Sequence, residues 1–187
     1  MSTDRPAQTE TLISVDVETA GPNPHDFAMI SIGACLVDDP ERGFYAELQP
    51  TTENVVPSAL AVSGLSMEQL AIEGMPAADA MRAFTEWLAE VTPAGSRPLM
   101  VAFNAPFDWM FIADYFHRFL GENPFGHSAI DVKAFAMGAF GGDWASTSMP
   151  LLAQRFRPGT VLAHNALSDA VDQAHLFREI RRAAAAR

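Results

Sequence analysis

Three short segments carry the residues best able to do chemistry: Asp16-Val17-Glu18, Asn104-Ala105-Pro106-Phe107-Asp108 and His164-Asn165-Ala166-Leu167-Ser168-Asp169. Four carboxylates and one imidazole are thus spread over most of a 187-residue chain, and only folding could bring them together. Carboxylate oxygens are hard donors that suit Mg²⁺ or Mn²⁺ better than Zn²⁺. Four such acids can hold two divalent cations, and two cations flanking a phosphate can support hydrolysis of a phosphodiester bond. Histidine titrates near neutral pH, so His164 is suited to take a proton from an attacking water. His25, His117, His127 and His175 lack a comparable acidic partner in the pattern and are expected to be structural or exposed.

These groups need elements to position them. Side chains alternate faces along a strand, so Asp16 and Glu18 share one face with Leu12 and Ser14, while Ile13, Val15 and Val17 pack on the other. Two rises of about 3.3 Å leave the two carboxylates close enough to share metal ions. A solvated strand edge would carry the same acids, and the other two segments are what argue against it. Asp108 falls in the first turn of a helix, where the helix dipole alone would favour an acid. Phe107 and Trp109 flank it at a strand-to-helix junction, suited either to base stacking or to core packing. Asp169 opens the last helix at the edge of its apolar stripe, and His164 precedes that helix in a loop.

The rest of the chain supplies a consistent frame. Thr11–Val17, Ala28–Val37 and Gly43–Leu48 read as three strands with short connections, an antiparallel meander. Short helices are expected near Ser58–Val62 and Ser66–Ala71, and a longer one over Pro76–Glu90. Pro98–Phe103 reads as a buried strand, followed by a helix from Pro106 to about Leu120. Ala129–Val132 reads as a short strand, Lys133–Phe140 and Met149–Phe156 as helices, and Gly141-Gly142-Asp143 as a break. The last helix spans Ala166 to about Arg182, with Arg181–Arg187 expected to fray. A meander followed by strand–helix alternation implies an α/β fold whose functional groups gather at one end of the parallel strands. Residues 1–10 are polar and are expected to form a disordered leader.

Composition narrows the class. Apolar residues make up 49% of the chain, enough for one substantial core. The polar start lacks a signal-peptide core and no apolar run would cross a bilayer, so no membrane association is expected. Cys35 is the single cysteine, which excludes an intramolecular disulfide and suits the reducing cytoplasm. The formal charge of −11 taken alone argues against binding a polyanion. Catalytic acids inflate that count, bound metal would offset them, and a short single-stranded end needs few phosphate contacts. Arg155 and Arg157 are the arginines expected to supply such contacts.

The three segments, in this order and spacing, resemble the exonuclease motifs of the DnaQ-like, DEDDh family, which includes the proofreading subunit of bacterial DNA polymerase III and ribonuclease T. The likeness covers residues 11–182. It implies a ribonuclease H-like fold: a mixed five-stranded sheet with helices on both sides, forming a single exonuclease domain over residues 11–187. It also implies metal-dependent 3′-to-5′ release of nucleoside monophosphates from single-stranded DNA or RNA 3′ ends. Asp16, Glu18, Asp108 and Asp169 would then hold two Mg²⁺ or Mn²⁺ ions, Asp16 bridging both, with His164 as general base. Thr19 and Phe107 match positions that touch the terminal nucleotide, with Asn104 beside them. Ser63-Gly64-Leu65 matches a loop that packs on the terminal base and often reads His-Gly-Ile. Ser63 replaces that histidine, and Phe103 replaces another that often opens the second motif, so substrate preference is where this chain departs from the pattern. The rival readings are an RNA-specific 3′-end-trimming ribonuclease and a catalytically weak binding module on a polymerase or other partner. A homodimer is also compatible with the resemblance.

Overall fold

The computed structural model describes residues 9–158 and 165–187. Alternation of β-branched and small residues produces β1 (Thr9–Thr19), β2 (Met29–Leu36) and β3 (Gly43–Glu47). They form the expected meander, with β1 and β2 antiparallel from Ile13 opposite Leu36 to Thr19 opposite Met29. The chain then makes α1 (Pro57–Ser63), α2 (Met67–Glu73) and α3 (Ala77–Val91) before returning as β4 (Ser96–Ala102). After α4 (Ala105–Leu120) come β5 (Ala129–Asp131), α5 (Val132–Phe140), a 3₁₀ turn (Trp144–Thr147), α6 (Met149–Phe156) and α7 (Ala166–Ala185).

The sheet order is β3-β2-β1-β4-β5, with β4 and β5 parallel to β1. β1 is therefore central, and the strand carrying Asp16 and Glu18 is not a solvated edge. Pro98 sits inside β4 without penalty because β5 pairs only with Met100–Ala102 and leaves that stretch of β4 uncovered.

Helices cover both faces. On one, Ile13, Val15 and Val17 pack against Phe84 and Leu88 of α3 and Phe111, Ile112, Tyr115 and Phe116 of α4. Phe84 stacks on Phe116 with ring centroids 5.7 Å apart; truncating such a buried ring costs about 3–5 kcal/mol. On the other face, Cys35 and Val101 pack against Val132 and Ala136 of α5, Leu152 of α6, and Ala174, Phe177 and Ile180 of α7.

Internal boundaries shift by one or two residues from the sequence expectation, and the two ends of the fold differ more. Thr9 and Glu10, assigned to the leader, belong to β1, where they lie opposite Ser96 and Arg97 in the ladder. Glu10 also pairs with Arg97. The remainder of that leader lies outside the described residues. At the other end α7 does not fray at Arg181 but runs to Ala185. Alanine is the best helix former, and Arg187 anchors the end by donating to the Ala139 carbonyl at 2.6 Å.

Candidate active site

β1 and β4 stop pairing at Ser14 opposite Val101, while β1 continues for five residues. Beyond β4 the chain turns at Asn104, whose φ of 62° is the left-handed conformation that asparagine tolerates best among non-glycine residues. That turn starts α4 and aims Asp108 back at the uncovered stretch of β1. The Val17 N–H, which a longer β4 would have satisfied, donates instead to Asp108 Oδ1 at 3.2 Å. Asp108 is thereby 3% exposed and fixed beside the Asp16–Glu18 pair.

The fourth acid arrives from the other face. Asp16 lies opposite Gly33 on β2. A Cβ on Gly33 would fall 2.1 Å from the carbonyl carbon of Ala166, so the bare glycine lets the start of α7 lie directly on the sheet. Two buried bonds lock this docking. Ser14 Oγ donates to the Ala170 carbonyl at 2.7 Å. Gln173, 1% exposed, accepts from the Phe103 N–H and donates to the Val15 carbonyl, each at 2.7 Å. Asn165 caps α7 by accepting from the Ser168 N–H at 3.2 Å, leaving Asp169 in the first turn, where the helix dipole favours its charge.

Asp16, Glu18 and Asp169 consequently converge, with one carboxylate oxygen from each lying within 4.8 Å of the others. The electrostatics record the crowding. Burial first, then the charges of Asp108, Asp169 and Glu18, hold the Asp16 carboxyl well above the usual carboxylate range. Burial pushes Asp108 up to about 8 against the opposing pull of backbone N–H donors, and Glu18 and Asp131 push it further. Such a set of oxygen donors, short of positive charge, fits hard divalent cations.

The other expected site residues take varied positions. His164 lies outside the described residues. Thr19 is buried at the end of β1, its hydroxyl donating to the Gly21 carbonyl at 2.9 Å. Asn104 is exposed and Phe107 half-buried, its ring 5.5 Å from that of Phe111. Ser63 and Leu65 flank Gly64 at the end of α1. Leu65 packs in a small cluster with Ala20 and Ile30, and the Val56 N–H before α1 donates to the Ala20 carbonyl at 2.8 Å, so this loop stands beside the end of β1. Trp109 packs against the core beneath α4. Arg157, one of the two arginines expected to meet substrate phosphates, pairs with Asp172 of α7 at 2.6 Å. Arg155 lies over the rings of Phe140 and Phe156, 4.7 and 4.8 Å from their centroids.

Asp131 and Gln173 escaped the sequence reading. Asp131 accepts from the Ala105 N–H with one oxygen and the Ala134 N–H with the other, both at 2.6 Å, and so holds the starts of α4 and α5 at the carboxyl ends of the strands. Its position at the end of a short strand was the available signal. A glutamine inside an apolar helical stripe was the signal for Gln173.

Sequence comparison defines the class. Residues 13–177 match the RNase T exonuclease family, and the chain belongs to it. Its DnaQ-like, DEDDh character also appears in its relatives. The chain is 43% identical to a 3′-5′ DNA exonuclease, Cap18, of Escherichia coli, over 96% of this chain and 94% of that one. It is 29% identical to the ribonuclease T of Citrobacter koseri, over 90% of this chain and 83% of that one. The nuclease domain of 3′hExo, a DEDDh family member solved bound to rAMP, superposes with a TM-score of 0.76 at 12% identity, covering 94% of each chain. The chain is thus a 3′-5′ exonuclease with a ribonuclease H-like fold, and the family implies divalent-metal dependence. No helix among the described residues is long and apolar enough to cross a membrane.

Proposed function

We propose that this exonuclease removes nucleoside monophosphates one at a time from the 3′ end of single-stranded nucleic acid, with DNA as the favoured substrate. The observation that carries the proposal is the convergence of Asp16, Glu18 and Asp169 within 4.8 Å, with Asp108 buried behind them. The preference for DNA rests on the higher identity to the DNA exonuclease, 43% against 29% for ribonuclease T.

In this proposal Asp16, Glu18, Asp108 and Asp169 hold two Mg²⁺ or Mn²⁺ ions. When bound, such ions would promote ionisation of water and offset charge on the departing 3′ oxygen. His164 takes the proton of the attacking water. Thr19, Asn104, Phe107, Ser63 and Leu65 line the two sides of the terminal nucleotide, Leu65 supplying an apolar surface for its base. Gln173 and Asp131 act as positioning residues, the first holding α7 and the second α4.

The test is hydrolysis of 3′- or 5′-labelled single strands of matched DNA and RNA sequence with Mg²⁺, Mn²⁺ or chelator. The proposal expects metal-dependent shortening from the 3′ end, faster on DNA. Loss of turnover in Asp16→Ala with the fold retained supports the ligand assignment, and unchanged turnover sinks it. A slowed His164→Ala variant that still binds metal supports the base assignment. The expectation of a homodimer is tested by sedimentation of the isolated chain, where a species of one chain's mass argues against it, and that of a polymerase partner by co-sedimentation with a polymerase.

A further inference from the structure

In a chain of net charge −11, the cations available to a nucleic acid are few. Among the described residues six arginines pair with a carboxylate, and three others lie over aromatic rings. Lys133 is the sole lysine, and no carboxylate lies within ion-pair distance of it among the described residues. It stands two residues beyond Asp131, which ties the starts of α4 and α5 together.

Aromatic rings surround this lysine. Its ammonium lies 4.0 Å from the ring centroid of Trp144 and 5.8 Å from that of Phe103. Phe103 directly follows β4, and its N–H is held by Gln173, one turn beyond Asp169 on α7. The three side chains therefore sit at the carboxyl ends of β4 and β5, the same end of the sheet at which Asp16, Glu18 and Asp169 converge. Trp87 and Trp109 pack against the core, whereas Trp144 is 47% exposed. Its backbone is nonetheless fixed. Asp143 caps the 3₁₀ turn by accepting from the Ser146 N–H at 2.9 Å, and the Thr147 hydroxyl donates to the Trp144 carbonyl at 2.7 Å. An exposed indole on a rigid turn, beside an unpaired ammonium, is the combination that binds single strands: the ring stacks a base of any sequence and the cation meets its phosphate.

We propose that Trp144 and Lys133, backed by Phe103, form the subsite for the nucleotide on the 5′ side of the scissile bond, Trp144 stacking its base and Lys133 contacting its phosphate. The proposal rests on single-stranded nucleic acid being the substrate. It also explains how so acidic a chain can hold a polyanion: a short track needs one cation and one ring, while the carboxylates are offset at the site itself. A single phosphate contact contributes about 0.7 to the salt slope of single-strand binding.

The experiment compares wild type with Trp144→Ala, Trp144→Phe and Lys133→Gln on a ten-nucleotide single strand and on thymidine 5′-(p-nitrophenyl) phosphate, which presents one nucleotide only. Expected is a fall of about 10-fold in the ratio of kcat/KM on the decamer to that on the ester for Trp144→Ala, carried mainly by KM, with partial recovery in Trp144→Phe. Lys133→Gln should lower the salt slope of decamer binding by about 0.7. Quenching of indole fluorescence by the decamer should be present in wild type and lost in Trp144→Phe. An unchanged ratio and slope, or equal losses on both substrates, overturns the subsite. Wild type that hydrolyses the ester but no single strand overturns the substrate proposal instead, so the two failures are distinguishable. Thermal melting of each variant identifies any loss due to misfolding, and Lys133→Gln, which removes only a charge at a half-buried site, keeps the test alive if the tryptophan variants melt early.

Discussion

Replacing Asp108 with asparagine should remove activity yet stabilise the metal-free fold. In the folded chain burial pushes this carboxyl up from 3.8 to about 8. Between those values the folded state keeps a proton that the unfolded state has lost, so stability falls as pH rises through the window and levels off above about 8. pH 7 lies about 3 units above the ordinary value of the group, and each unit corresponds to 1.36 kcal/mol, giving a ceiling of about 4 kcal/mol. Asparagine retains an oxygen to accept the Val17 N–H, now donated at 3.2 Å to Asp108 Oδ1. Its amide donors must still be desolvated, which lowers the expected gain to about 2 kcal/mol. For a chain of this length that is a rise in Tm of about 4–8 °C. Melting followed by circular dichroism in chelator, from pH 4 to pH 8, measures it. The difference between variant and wild type should approach zero at pH 4 and widen toward pH 8, while Mg²⁺ should raise the Tm of wild type more than that of the variant. A variant that melts lower than wild type across the range, or a difference that ignores pH, refutes the reasoning.

Three further outcomes follow from the geometry. Gly33→Ala should destabilise by about 1–3 kcal/mol, because its Cβ would meet the Ala166 backbone. It should also depress metal-dependent turnover by displacing Asp169, which metal titration and kinetics would report together. Gln173→Ala leaves the Phe103 N–H and Val15 carbonyl without partners; a loss of about 2–4 kcal/mol in urea unfolding is expected. Burial pushes the Cys35 thiol up to about 12, so the folded enzyme should resist a thiol reagent at pH 8 and react with it only on unfolding.

Much of the architecture was legible because its signals are local. The alternation of Ile13, Val15 and Val17 marked β1, and Pro106 marked the start of α4. The three acidic segments identified the class. What stayed hidden depends on distances between segments remote in sequence. Nothing near Gly33 in the sequence announces that the backbone of Ala166 will rest on it. Nor does Asp108, read as a first-turn acid, reveal that it will substitute for a missing strand partner of Val17. The pairing of Arg157 and the full length of the last helix stayed hidden for the same reason: their partners, Asp172 and the carbonyl of Ala139, are set by how helices pack.

The docking of α7 on β1 also has a consequence for timing. Ser14 is joined to Ala170 across 156 positions, and Asp16 meets Asp169 only through that docking. During synthesis the first two carboxylates leave the ribosome long before the last. A nascent chain therefore carries a half-assembled centre until its final helix has emerged and closed against the first strand. Under the proposed ligand assignment, a chain truncated before α7 lacks Asp169 and should show no turnover even where its remaining elements fold.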